Sequence, residues 1–218
     1  MAFHPKDASR ACIRRSRRLL QLTQENLPDS RVKGDLRRAA LVTAVSGLDA
    51  YLHWLVYRRL SDVRNEGDLP KSLVKLDLPF TDLATLADTT LKGRASGVAT
   101  RPWVQVKGFV QRRLRKEAFQ SYEQVANALS WAGIKRPWKR VSDKLGDTPE
   151  EVKNRLNRLV DRRNQIVHEG DIVRALRPRG LRYVPITTAF VQKEVDWIEA
   201  LIKKLEEVVL EGSEANDE

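Results

Sequence analysis

Apolar side chains recur at three- and four-residue intervals through most of this chain and rarely alternate in the two-residue rhythm of a strand. Between Arg31 and Leu60 the positions Leu41, Val45, Leu48, Leu52, Leu55 and Val56 predict one long helix. Gly67, Pro70 and Pro79 break the next stretch into short pieces, and Gly93, Gly97 and Pro102 mark a loop before another amphipathic region. Phe119 to Trp131 reads as a further helix ending near Gly133. The helix after it is announced by its cap. Thr148-Pro149-Glu150-Glu151 places a hydroxyl N-cap, a proline in the first turn and a glutamate at the capping-box position. Val152, Leu156, Leu159, Val160, Ile166 and Val167 then form a stripe running to His168, with Gly170 as terminator. Val191, Val195, Ile198, Leu201, Ile202 and Leu205 predict a last helix within Ile186 to Val209. The expected fold class is all-α.

At 218 residues the chain fits one domain with a real core. We divide it into a basic helical extension over 1–30, a helical domain over 31–210 and an acidic disordered tail over 211–218. The net charge of +11 favours a polyanionic partner, RNA or DNA rather than a membrane, since no uninterrupted apolar run approaches a spanning length. The cations come in runs: Arg10, Arg14, Arg15, Arg17 and Arg18; then Arg112, Arg113, Arg115 and Lys116; then Lys135, Arg136, Lys139 and Arg140. Any one run reads equally well as a solvated helix face. Cys12 is the only cysteine, which excludes an intrachain disulfide and suits a reducing cytoplasm. The first residues lack the apolar core of a signal peptide. His4, His53 and His168 are scattered, so no metal site of soft ligands and no cofactor is expected; a carboxylate site for magnesium stays open.

Projection at roughly 100° per residue singles out one cation on the capped helix. Measured from Val152, Leu156 falls near 40°, Leu159 near 340° and Arg163 near 20°, inside the apolar stripe. Arg155, Arg158 and Arg162 project away from its centre, as solvated arginines should. A guanidinium keeps its proton, so an inward Arg163 requires a partner. Asp49, on the inner arc of the long helix, is the candidate; such a pair reads equally as a structural ion pair that fixes helix register. Asn164 and His168 are four apart and share one flank of the stripe. Trp103, Trp131, Trp138 and Trp197 read as core or interface anchors, and Trp54, opposite the apolar stripe of its helix, as a dimer contact.

Arg163-Asn164-Gln165-Ile166-Val167-His168 resembles the R-x(4–6)-H motif of HEPN-domain proteins, with the polar residue that often follows the arginine. Ser46-Gly47-Leu48-Asp49-Ala50-Tyr51-Leu52 is similar to the early HEPN helix with its acidic residue, and Trp138 to His168 is similar to prokaryotic HEPN domains of the defence-linked kind. The resemblance spans about Asp35 to Val209. In the HEPN partners of minimal nucleotidyltransferases a tyrosine stands two positions after the histidine; Gly170 stands there in this chain, which argues against that subfamily.

The resemblance implies a HEPN-like helical bundle, with the middle segment elaborated, and a homodimer that brings two motifs into one cleft. It also implies metal-independent cleavage of RNA in a defence or toxin–antitoxin setting, with an antitoxin or defence-system protein as a further partner. In that reading His168 is the general acid or base, Arg163 stabilises charge on the phosphate, Asn164 orients histidine or substrate, and Asp49 supports Arg163. The cations at Arg112, Arg113, Arg115, Lys116, Lys135, Arg136, Lys139 and Arg140 would hold the RNA backbone. The alternative is a non-catalytic HEPN module that binds RNA or a partner protein. A DNA-binding regulator has less support, because no compact helix-turn-helix is present.

Overall fold

The computed structural model describes residues 4–26, 29–62, 67, 69–74, 77–97, 101–174 and 180–214. Its elements in chain order are α1 (Pro5–Leu22), α2 (Ser30–Asp62), α3 (Lys71–Val74), α4 (Phe80–Ala95), α5 (Pro102–Leu114), α6 (Tyr122–Trp131), α7 (Pro137–Leu145), α8 (Pro149–Glu169) and α9 (Thr188–Glu214). Among the described residues the only β-type pairing is a single antiparallel bridge between Ile172 and Tyr183. The chain is an all-α bundle.

The long helix predicted over Arg31 to Leu60 is α2, and it is the axis of the molecule. Leu41, Val45, Leu48, Leu52, Leu55 and Val56 are all buried, joined by Ala40, Ala44, Tyr51 and Leu60. Its apolar composition reaches a mean hydropathy of 1.3 over 18 residues, enough to cross a membrane by length and composition. Here 56% of that window is buried inside the protein, where α1, α5, α6, α8 and α9 pack against the helix.

The N-terminal basic run lies on α1, which is a full member of this packing. Ile13, Ser16 and Leu20 face inward, and the Ser16 hydroxyl donates to the Ala40 carbonyl at 2.7 Å. Gly47 sets the approach of the two helices: a Cβ there would stand 3.1 Å from Cys12 Cβ and 3.5 Å from the Ser9 carbonyl. Contacts pair low numbers of α1 with high numbers of both neighbours, Arg17 with Asp196 and Glu199, His4 with Glu206. So α1 runs antiparallel to both α2 and α9. Val191, Val195, Ile198, Leu201, Ile202 and Leu205 of α9 close the core from that side. The acidic tail expected from position 211 begins inside α9, and Glu211 is tied to Arg140 and Lys144 of α7; residues 215–218 lie outside the described set.

Three of the tryptophans read as anchors belong to the core, while Trp103 is half-buried outside the core cluster. Trp138 and Trp197 are buried, and Trp131 packs against the core with its ring edge-on to Phe119 at 5.6 Å. The middle segment is looser. No residue of α4 is buried, and Phe80, Leu83 and Leu91 stand exposed on it.

Replacing Gly47 by valine should force α1 off α2. We expect a loss of about 1–3 kcal/mol of stability, read from urea denaturation midpoints.

Candidate active site

The site is built at the C-terminal end of α8, so the helix start and stop matter. Thr148 caps the start: its hydroxyl accepts from the Glu151 N–H at 3.2 Å, while Glu151 accepts from the Thr148 N–H and hydroxyl, each at 2.8 Å. These bonds, the backbone one foremost and the hydroxyl next, hold the Glu151 carboxyl below the ordinary carboxylate range. The cap is therefore complete at neutral pH and is lost only as acid carries the pH down through that lowered value. At the far end Gly170 adopts a left-handed conformation (φ 63°), and the Asp171 N–H returns to the Gln165 carbonyl at 3.1 Å. Asp171 is itself left-handed (φ 59°), an uncommon backbone for a residue other than glycine.

That bend drives the Asp171 side chain into the protein, where it is fully buried between two arginines. Arg38 of α2 donates through Nε, and Arg162 of α8 donates through both terminal nitrogens. The two guanidiniums also share the Val184 carbonyl, Arg38 Nη2 at 3.0 Å and Arg162 Nη2 at 3.5 Å. Backbone bonds from Val184 N–H to the Asp171 carbonyl and from Val173 N–H to the Arg182 carbonyl close the returning chain over the knot. Arg162, expected to be solvated, is therefore the structural arginine of this helix. By roughly 100° per residue it lies near 280°, at the edge of the stripe, where a buried acid can reach it.

Arg163 does not pair with Asp49, so that expectation is corrected. The Asp49 carboxylate accepts from the Phe119 backbone N–H at 2.6 Å and from Gln120 Nε2 at 3.4 Å, and approaches His53 Nε2 at 3.7 Å. It anchors the loop leading into α6, which occupies the inner arc of α2 that the projection left for an arginine. Arg163 instead turns along its own helix. Its Nη1 donates to Asn164 Oδ1 at 2.9 Å and lies 3.5 Å from His168 Nε2. Its Nε is buried without a hydrogen-bond partner among the described residues.

The structure thus gathers Arg163, Asn164 and His168 into one cluster and leaves His168 exposed. A guanidinium only donates, so this contact is a hydrogen bond only in the tautomer whose Nε2 carries no proton. An open groove of about 500 Å³ runs beside the cluster, lined by Arg158, Asp161, Arg162, Asn164, Gln165 and Glu169. Asn164 belongs to both. Arg158, exposed and without a carboxylate partner among the described residues, was not singled out from sequence; its place six residues before Asn164 gives no same-face signal that could have found it.

The other predicted cations divide. Arg112 is bound to Asp82 at 2.9 Å, Arg113 to Glu117, and Arg140 to Glu211 at 2.8 Å. Arg115, Lys116, Lys135, Arg136 and Lys139 are exposed and make no ion pair among the described residues. Arg115 and Lys116 follow α5, Lys135 and Arg136 lie between α6 and α7, and Lys139 is on α7, none of them on α8.

Removing the buried acid should be costly, because it strands two arginines that are mostly buried. Asp171→Ala is expected to lose about 3 kcal/mol in urea denaturation, whereas Arg163→Ala, which breaks no ion pair, should lose well under half of that.

Comparison with known proteins gives one finding. The chain matches the family model described as RiboL-PSP-HEPN over residues 10–211, a span that takes in α2, the α8 cluster and nearly all of α9. The comparisons with curated proteins and with solved structures found no match. The all-α bundle, the motif at the end of α8 and this match agree, and the chain belongs to the HEPN family.

Proposed function

We propose that the protein is a metal-independent endoribonuclease that cuts RNA by attack of a ribose 2′-OH on the adjacent phosphate. The observation that carries this reading is the placement of Arg163 Nη1 within 3.5 Å of His168 Nε2, with the same nitrogen donating to Asn164 Oδ1 at 2.9 Å. His168 Nε2 accepts the 2′-OH proton, the 2′-oxygen bonds to phosphorus, and the bond from phosphorus to the 5′-oxygen breaks. The products are a 2′,3′-cyclic phosphate and a 5′-hydroxyl. Arg163 donates to the non-bridging oxygens, where negative charge grows in the transition state. DNA lacks the nucleophile and is spared.

The leaving 5′-oxygen needs a proton, and one histidine that has just accepted a proton is poorly placed to act on both sides at once. A homodimer supplies the second His168. Val167, 45% exposed, and Phe190, 40% exposed, are the apolar surface on the helices of this end through which a second copy would pack. The groove with Arg158 and Asn164 then takes the strand. A defence or toxin role, held in check by an antitoxin, follows from the same reading. The second reading, a HEPN module that binds RNA or protein without cutting, is favoured by one observation: in the single chain His168 is exposed to solvent.

Purified protein incubated with structured and unstructured RNA in EDTA should cleave. His168→Ala and Arg163→Ala should each be slower by at least roughly a hundredfold. Equal cleavage by wild type and His168→Ala, or salt-sensitive binding with no cleavage on any RNA, would reject the enzyme. In cells, overexpression should be toxic and His168→Ala should relieve it.

A further inference from the structure

The groove beside the α8 cluster contains a side chain that the proposed reaction leaves unused. Gln165 lines it next to Asn164, and its amide is oriented by Arg162. Arg162 Nη1 donates to Gln165 Oε1 at 2.9 Å. A guanidinium has donors only, so the amide atom facing it is the oxygen, and the usual ambiguity between the two ends of a glutamine amide disappears. Arg162 is itself held: Asp171 accepts from both of its terminal nitrogens, and its side chain is 14% exposed. The Gln165 backbone is tied to the same place, since its carbonyl accepts from the Asp171 N–H at 3.1 Å. Side chain and main chain of Gln165 are therefore both anchored on the buried knot.

The other end of the amide is unspent. Gln165 Nε2 carries two N–H donors and has no hydrogen-bond partner among the described residues. Asn164 repeats the arrangement, its Oδ1 taken by Arg163 Nη1 and its nitrogen left over. With the exposed guanidinium of Arg158, the groove presents three donor side chains that no acid neutralises among the described residues. Two carboxylates share its walls: Glu169 is bound to Arg174 at 2.9 Å, and Asp161 is exposed. Gln165 also lies close to the chemistry. His168 follows it by three residues, roughly 60° around the helix and about 4.5 Å along its axis.

We infer, taking RNA as the ligand from the ribonuclease reading, that Gln165 is a substrate-holding residue whose Nε2 donates to a non-bridging oxygen of a phosphate adjoining the scissile one. Amide and guanidinium side chains hold phosphate oxygens and set the register of a strand without reading its sequence. A donor fixed in advance loses little freedom on binding. The knot around Asp171 thereby acquires a second role, since it aims this donor through Arg162.

Gln165→Glu and Gln165→Met separate this role from a structural one. A glutamate keeps an oxygen for Arg162 but replaces the donor by an acceptor, whereas a methionine removes both without adding charge. Affinity is measured by fluorescence anisotropy on the full chain carrying His168→Ala, so that RNA stays intact, with ten-nucleotide oligo(A), oligo(C) and oligo(U). Both substitutions should weaken all three RNAs, Gln165→Met by roughly fivefold and Gln165→Glu by more than about tenfold. The urea midpoint of Gln165→Glu should stay at or above that of its parent. In the chain that retains His168, the same substitutions should raise KM more than they lower kcat. Affinities unchanged by both substitutions overturn the assignment, and so does the absence of RNA binding by the parent. Weakening by Gln165→Glu alone overturns it as well, because charge repulsion then accounts for the loss. Weakening confined to one base sequence, or a fall in kcat with KM unchanged, has the same consequence. Affinity lost on both substitutions in a protein that cuts no RNA would instead reject the nuclease and keep Gln165 as the phosphate-holding residue of a binding module.

Discussion

The arrangement at the end of α8 depends on one buried carboxylate. Asp171 lies beyond the helix, in a left-handed turn, and holds Arg38 from α2 and Arg162 from α8 at once. This single contact fixes the rotation of the last turns of α8 against the central helix. It also fastens the chain returning toward α9, through the Val184 carbonyl that both arginines share. Charge explains why the knot has this composition. One carboxylate between two guanidiniums leaves a net positive charge near the motif, and the buried acid is fully satisfied by charged donors. With Arg162 committed inward, Arg163 is the adjacent side chain free to turn toward Asn164 and His168.

Much of this was legible in the residues, and what was not has a physical reason. Helix positions follow from periodicity and from caps: α2 extends the predicted span by only a few residues, and Thr148 caps α8 as its box of residues implies. Periodicity reports which face of a helix is inward, but it cannot say which element the face meets. Asp49 does sit on the inner side of α2, yet it meets the backbone of Phe119 and not an arginine, because the loop before α6 has a free N–H to offer there. The projection placed Arg163 in the apolar stripe and Arg162 outside it. Long side chains near a helix end are not bound by that projection, since they reach across to whatever acid the next turn supplies. Asp171 itself was invisible as a partner because its role depends on a backbone turn, which helical periodicity does not encode.

The cationic surface divides along similar lines. Three of the eight arginines and lysines read as RNA contacts are neutralised by local acids, and sequence spacing could reveal only the Arg113–Glu117 pair four residues apart. The rest are exposed, two just after α5 and three at or just before the start of α7, and none is on α8.

The central claim is that Arg163, Asn164 and His168 perform transesterification through a ribose 2′-OH. The most direct measurement is the chemistry of the cut ends, on an RNA of one cleavage site and on its twin carrying a single 2′-deoxy sugar there. The account predicts a 2′,3′-cyclic phosphate and a 5′-hydroxyl from the first and no cut at that site in the second. A 5′-phosphate, or cleavage that survives loss of the 2′-OH, would contradict it.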